Sequence, residues 1–398
     1  MPDLVIVGGG YAGLWAAMAA ARRATDAGQA LNIRLLSKDP YLTHRPRLYE
    51  RNPGDMRSAL APVLEPIGVD LVVGEATAID PIRQLVQMGP KDGNAVDDHY
   101  DALILAAGSV LRAPPIDVSK GRLWSVDDMS AAIALDQHLE QIMAMPSDQT
   151  VVIVGAGFTG IELATEMRDR LAEHGGDERA KLARIVLVDT AATVSADLGP
   201  GPRPHILAAL ETAGVEVRLN TTVARVEGDD VTLSDGELLR AATVIGTTGA
   251  QANGLAGQLA TALDIKTDPA GRLEVDTSLA VIGGRNIFAA GDIAHAMTDP
   301  TSGNHPALMS CQHAMPMGKY AGHNAAALLL GQMTLPYEQA RYVTCLDLGP
   351  WGAVFTTGWE RQVELTGAEA KARKQFIMNE VIYPPSNDRD AILEAGGI

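Results

Sequence analysis

The sequence predicts an α/β fold with two parallel-sheet units and a small C-terminal α+β unit, and three stretches carry that reading. Leu4-Val-Ile-Val7 is a short branched apolar strand, followed by Gly8, Gly10 and Gly13 at the spacing G-x-G-x-x-G and by an Ala-rich, helix-favouring run from Leu14 to Arg23. The same order returns at Val151-Val-Ile-Val-Gly-Ala-Gly-Phe-Thr-Gly160. A third buried strand, Asn286-Ile-Phe-Ala-Ala-Gly-Asp292, ends on a carboxylate, at the strand end where open α/β sheets hold ligands. The glycines have separate tasks. The first permits a tight turn, the second lets backbone approach a pyrophosphate, and the third lets the helix pack close with its free N–H groups on the phosphates. One such turn is a weak signal in a chain of 40 glycines. Its recurrence points to two Rossmann-like domains holding two dinucleotides face to face.

Composition narrows the partners. The chain has 398 residues, enough for two or three domains with substantial cores. A formal net charge of −17 argues against duplex nucleic acid and anionic lipid as general partners. Only Cys311 and Cys345 are present and no C-x-x-C occurs, so neither a disulfide scaffold nor a dithiol pair beside the first unit is available. No cluster with metal-ligand spacing stands out, and no metal is expected. The chain enters its first strand by residue 4, so no signal peptide is expected, and no apolar run approaches the roughly 18–20 residues of a membrane span. A cytoplasmic location is expected, with peripheral membrane association left open.

Along the chain, Asn32–Leu36 reads as a second strand, followed by Ser37 and Lys38 where a dinucleotide fold usually places an acid at the ribose. Tyr41–Glu50 is dense in His, Arg and aromatics; it is either a ligand-facing segment or a basic loop pairing with nearby acids. Leu71–Ile79 alternates like a strand, and Tyr100–Ser109 is a buried strand ending in small residues. Pro114 and Pro115 punctuate a crossover, a helix covers roughly Met129–Met143, and another runs from Thr159 to Glu173. The strand Arg184–Val188 ends on Asp189, an acid suited to a free ribose 2′-OH, so NADH is favoured over NADPH. Val215–Leu219, Val223–Val226 and Val231–Leu233 read as short antiparallel strands, and Thr243–Gly249 as a strand closing on Thr-Thr-Gly. A helix from about Pro306 to Leu330 carries Cys311, Gln312 and His313 near its start. Strands Val343–Leu348 and Ala353–Thr357, a charged helix Gly367–Asn379 and a Pro-rich tail complete the chain. The expected division is 1–115 with 265–330, then 116–264, then 331–398.

Taken in order, Gly-Gly-Gly-Tyr-Ala-Gly, Tyr-Asp-x-Leu-Ile-Leu-Ala-x-Gly, Val-Gly-Ala-Gly-Phe-Thr-Gly-Ile-Glu and Ile-Phe-Ala-Ala-Gly-Asp resemble the two-dinucleotide-binding-domain flavoproteins of the pyridine nucleotide-disulfide oxidoreductase superfamily. Within it the chain is most similar to the type II NADH dehydrogenases, FAD enzymes that pass electrons from NADH to quinone. The resemblance implies FAD on the first unit, with Gly8, Gly10, Tyr11, Ala12 and Gly13 at its pyrophosphate and Ser37 and Lys38 at its adenosine. It places Pro46 near the flavin, Ala76, Ala107 and Gly108 along the adenine and pyrophosphate side, and Gly291 and Asp292 at the ribityl chain. NADH would meet Gly155, Gly157, Phe158, Thr159, Gly160, Glu162, Asp189, Thr248 and Gly249 on the second unit. Cys311-Gln-His-Ala-Met-Pro-Met-Gly318 matches the stretch beside flavin and quinone, putting Gln312, His313 and Ala314 there, with a cysteine where the family has alanine. Glu162 is the candidate proton relay to the acceptor and Gln312 the second catalytic candidate.

The C-terminal region departs further, because family members anchor to membranes through apolar helices while Glu369–Glu380 is strongly charged. No membrane anchor is evident, so the acceptor is a quinone or another small molecule. The competing readings are a reductase of a ferredoxin-like carrier, for which His44, Arg45 and Arg47 are the one obvious basic cluster, and a slow redox-sensing flavoprotein. Cys311 with Cys345 as a sulfide-oxidising pair is a further alternative, and a homodimer is compatible with the sequence.

Overall fold

The computed structural model describes residues 1–91, 94–145, 149–299 and 305–398. In chain order β1 (Asp3–Val7) leads into α1 (Tyr11–Ala27), β2 (Asn32–Ser37), β3 (Asp70–Val73) and β4 (Ala102–Leu105). α2 (Met129–Ala144) then precedes β5 (Val151–Val154), α3 (Phe158–Gly175), β6 (Ile185–Val188), β7 (Val215–Arg218) and β8 (Thr243–Gly246). α4 (Gly254–Leu263) returns the chain to β9 (Ile287–Ala289) and α5 (Cys311–Leu329). β10 (Val343–Asp347), β11 (Ala353–Thr357), β12 (Gln362–Thr366), α6 (Gly367–Phe376) and α7 (Arg389–Ala395) follow.

Two parallel sheets result, in the orders β9-β4-β1-β2-β3 and β7-β6-β5-β8. The inner strands β1, β4, β5 and β6 are buried on both faces, which is why they read as unbroken branched apolar runs rather than alternating ones, whereas the edge strands β3 and β7 are partly exposed. Leu4, Ile6, Leu14 and Met18 are fully buried in the first core, each worth roughly 1.5–3 kcal/mol relative to exposure. The α/β architecture of two Rossmann-like units is thus present, with the antiparallel sheet β10-β11-β12 and α6 as the third unit.

Several expectations need correction. The stretch Leu71–Ile79 breaks at Gly74: β3 joins the parallel sheet, while Ala76–Asp80 opens an antiparallel meander with Leu85–Lys91 and Asn94–His99. β7 pairs parallel, not antiparallel, with β6, because the helix Arg203–Thr212 crosses between them and brings the chain back in the same direction. Leu255, Ala256 and Leu259 of α4 pack into the first core. The helix expected from Pro306 begins at Cys311; Ala307 instead donates its N–H to Ala296 in an extended pairing. The Pro-rich tail ends in α7, capped by Asp388, with Ile392 and Leu393 buried against the first unit.

Candidate active site

The carboxyl ends of β1, β4 and β9 and the N-termini of α1 and α5 converge. At Gly8 φ is +119°, and a Cβ there would overlap the Ala106 carbonyl. A Cβ at Gly13 would overlap the Gly8 carbonyl, whereas one at Gly10 would meet only open space. The second unit repeats the pattern: Gly155 has φ +113°, a Cβ at Gly160 would overlap the Gly155 carbonyl, and Gly157 faces open space. In each turn the middle glycine alone is free of its own protein, which is the room a phosphate backbone requires.

The helix ends agree. α2 and α4 have side-chain caps from Asp128 and Asn253. α1, α3 and α5 have none, and the Ser310 hydroxyl at the start of α5 is buried without a partner. Uncapped N-termini leave N–H donors and the positive end of the helix dipole for an anionic or electron-rich ligand. These residues fit two dinucleotides.

α1 and α5 pack backbone to backbone, since a Cβ at Gly318 or Gly322 would overlap the carbonyl of Ala12 or Ala16. A Cβ on Gly291 would lie 2.9 Å from that of Ala12 and 3.5 Å from that of Ala314. That contact brings Gly8–Gly13, Gly291, Asp292 and Ala314 together. Ser109 donates to Asp292 Oδ2 at 2.6 Å; burial pushes the Asp292 carboxyl up, and Ser109 and Arg45 oppose that shift. Of the other residues expected at the first dinucleotide, Ser37 is buried beneath Gly9, Lys38 is exposed, and Pro46, Ala76, Ala107 and Gly108 are half-buried.

On the second unit, Asp189 accepts from Ala156 N at 2.5 Å and Ala191 N at 2.7 Å. The acid therefore orders the glycine turn as well as standing at the strand end. Phe158 is half-buried and Thr159 exposed. Thr248 and Gly249 bond to Arg112 in the crossing between the two units.

Two residues expected to be catalytic are committed to protein groups. Gln312 forms two bonds with the Val343 backbone, at 2.9 and 3.0 Å, so its amide clamps β10 to the start of α5. Pro316 has no N–H, which frees the Gln312 carbonyl for Gln339 Nε2 at 3.0 Å. Gln339 Oε1 in turn meets His313 Nδ1 at 2.9 Å. The buried His313 ring is aligned with Tyr342 at 5.7 Å, its Nε2 unpartnered.

Glu162 is 3% exposed. Its Oε1 accepts from Lys374 Nζ at 2.7 Å and from Asp347 N at 3.1 Å. Burial drives its carboxyl up to about 7, against the pull of Lys374; Lys374, between Glu162 and Asp347, stays protonated. The neighbouring Lys371 binds Asp347 at 2.6 Å and Glu166 at 3.1 Å. The charged C-terminal helix thus turns its lysines inward as a lock between the second and third units. Lys374 was missed in the sequence; its one signal is the spacing Ala370, Lys374, Met378, all on the buried side of the helix.

Within Tyr41–Glu50 the arginines pair with nearby acids. His44 is fully buried, 2.9 Å from the Tyr11 hydroxyl and 2.8 Å from that of Ser58. Burial, with Arg47 nearby, pushes its imidazole down to about 4, so it is neutral. Arg45 pairs with Asp127 and Arg47 with Glu50, while Leu48 and Tyr49 are buried in the second core. Both cysteines are free, and burial raises each thiol to about 11. Cys345 Sγ rests on the Ala370 carbonyl at 3.7 Å. No group of residues suited to a metal occurs among the described residues.

The family described as pyridine nucleotide-disulphide oxidoreductase matches residues 2–318. A NADH dehydrogenase-like protein of Mycobacterium tuberculosis is 42% identical, the alignment covering 99% of this chain and 98% of that one. A demethylphylloquinone reductase of Synechocystis is 28% identical over 94% of this chain and 91% of its own length. Among solved structures, NDH2 from Plasmodium falciparum in complex with NADH shares the fold, with a TM-score of 0.79, 13% identity, and coverage of 99% of this chain and 97% of that one.

Proposed function

The chain belongs to the pyridine nucleotide-disulphide oxidoreductase family, and from that premise we propose an FAD enzyme that takes hydride from NADH and passes the electrons to a quinone or another small acceptor. The observation that carries this reading is the pair of open glycine turns at Gly10 and Gly157, with the uncapped start of α5 packed beside the first of them. When bound, a flavin supplies the hydride acceptor and the two-electron store. The chain supplies the rest. Gly8–Gly13 would hold a pyrophosphate on the first unit, and Gly291 and Asp292 would meet the ribityl chain, with Asp292 accepting a hydroxyl. Gly155–Gly160 and Asp189 hold the nicotinamide dinucleotide, with Asp189 disfavouring a 2′-phosphate.

Reduction of a quinone consumes protons. Glu162, with its carboxyl at about 7, gains or loses a proton at Oε near neutral pH and is the candidate to relay one. The acceptor assignment draws support from relatives named as a demethylphylloquinone reductase and a type II NADH:quinone oxidoreductase. A ferredoxin-like partner draws none from His44, Arg45 and Arg47, whose side chains are buried or paired internally. No helix among the described residues is long and apolar enough to cross a membrane; a cytoplasmic enzyme, free or peripherally held, fits this reading.

The test is anaerobic reduction by NADH followed by reoxidation with a water-soluble quinone, ferricyanide, oxygen and a ferredoxin. Fastest reoxidation by the quinone is the expected result, and a preference for ferredoxin refutes it. Quinone turnover of Glu162→Gln that matches wild type from pH 6 to 8.5 removes the relay.

A further inference from the structure

Arg45 sits at the crossing of the two dinucleotide units, and its fork reaches both. Nη1 donates to the Ser109 carbonyl at 3.1 Å and to the Ser109 hydroxyl at 3.2 Å. Nε donates to the Asp127 carbonyl at 3.0 Å, and Nη2 to Asp127 Oδ1 at 2.6 Å. The Ser109 hydroxyl has one proton, and it goes to Asp292 Oδ2 at 2.6 Å. Arg45 Nη1 itself is 3.9 Å from that oxygen. The other oxygen of Asp127 accepts from Leu111 N at 2.8 Å. Leu111 belongs to the strand Ser109–Leu111, which pairs with Ala250–Ala252 where the chain passes between the two units. The guanidinium thus occupies the accepting side of a hydroxyl whose donating side is fixed on a carboxylate. Asp292 Oδ1 keeps no bond to a described residue. A lysine could not reproduce this, because a single ammonium lacks the planar fork that serves two acceptors at once.

We propose that Arg45 is a positioning residue of the flavin site: it locks the Ser109 hydroxyl onto Asp292, so that Asp292 presents its second oxygen to the hydroxyls of a bound flavin nucleotide, and it ties that setting to Asp127 at the crossing between the units. Arg45 acts through Asp292 and needs no contact with the flavin. The assignment rests on the flavin reading above.

The test is titration of full-length apoprotein with FAD, following flavin fluorescence, for wild type, Arg45→Met, Ser109→Ala, Asp292→Asn and the double variant Arg45→Met/Asp292→Asn. Loss of one charge-assisted link predicts that Arg45→Met and Ser109→Ala each weaken FAD binding by about tenfold. In the Asp292→Asn background the further loss from Arg45→Met falls below about threefold, because the carboxylate it positions is gone. A purely structural staple gives the same loss in both backgrounds and overturns the assignment, as does wild-type affinity in Arg45→Met. Should Arg45→Met not fold, Ser109→Ala leaves the Arg45–Asp127 pair in place and is held to the same comparison with Asp292→Asn. A wild-type apoprotein that takes up no FAD overturns the flavin reading as well, whereas tight wild-type binding with unchanged variants overturns only the role of Arg45.

Discussion

Replacing Lys374 by Met leaves a buried carboxyl without its cation, and the cost depends on pH in a way the geometry fixes. Glu162 is 3% exposed and its carboxyl stands at about 7 in the folded protein, against about 4.3 in an unfolded chain. A carboxyl raised on folding contributes stability that is fully present below the unfolded value and is lost as pH rises toward the folded one. In wild type that loss is complete just above pH 7. Without Lys374 the carboxyl titrates higher still, so the variant goes on losing about 1.4 kcal/mol per pH unit where wild type no longer does. Below pH 7 Glu162 is neutral in both proteins. There the exchange of a buried ammonium for an apolar chain of similar size costs little, about 0–2 kcal/mol. Urea unfolding at pH 6 and pH 8.5, followed by tryptophan fluorescence, should therefore show the penalty growing by about 2 kcal/mol between the two. An equal penalty at both pH values refutes the argument.

The glycine turns give a cleaner separation of fold from function. Gly10→Ala and Gly157→Ala meet no protein atom, so each apoprotein should unfold within about 1 kcal/mol of wild type. Gly10→Ala should lose FAD and Gly157→Ala should raise the KM for NADH at least tenfold while keeping its flavin; spectra and steady-state kinetics check both. Gly318→Val drives a side chain into the Ala12 carbonyl, and overpacking of that kind costs about 1–3 kcal/mol or more; a lower melting temperature together with flavin lost on gel filtration is expected. Cys311, with its thiol raised to about 11, should resist iodoacetamide at pH 8, and Cys311→Ala should retain kcat within about threefold, since a protonated thiol is a poor nucleophile.

Local chemistry wrote both dinucleotide units into the sequence. Branched apolar runs, glycine spacing and Ala-rich helices act over a few residues, so the strands β1, β5 and β9, the helices after them and the placing of Gly8–Gly13 and Gly155–Gly160 could all be read before any tertiary contact was known. Asp292 and Asp189 were legible for the same reason, each standing at a strand's carboxyl end. What depends on long-range pairing was not. Gly74 splits an apparently continuous strand because two different sheets compete for its halves, and α4 joins the first core across the crossing. A run dense in Lys, Arg and Glu is ordinarily a solvated face; here Lys371 and Lys374 are drawn inward because Glu162, Glu166 and Asp347 wait on elements far away in sequence. Gln312 and Arg45 changed their apparent tasks in the same way. Sequence alone determined which segments could hold a dinucleotide, since that is a matter of local backbone freedom. Only the tertiary structure decided which polar groups remain for a ligand, because a hydrogen bond spent on a distant partner cannot be seen from its neighbours in the chain.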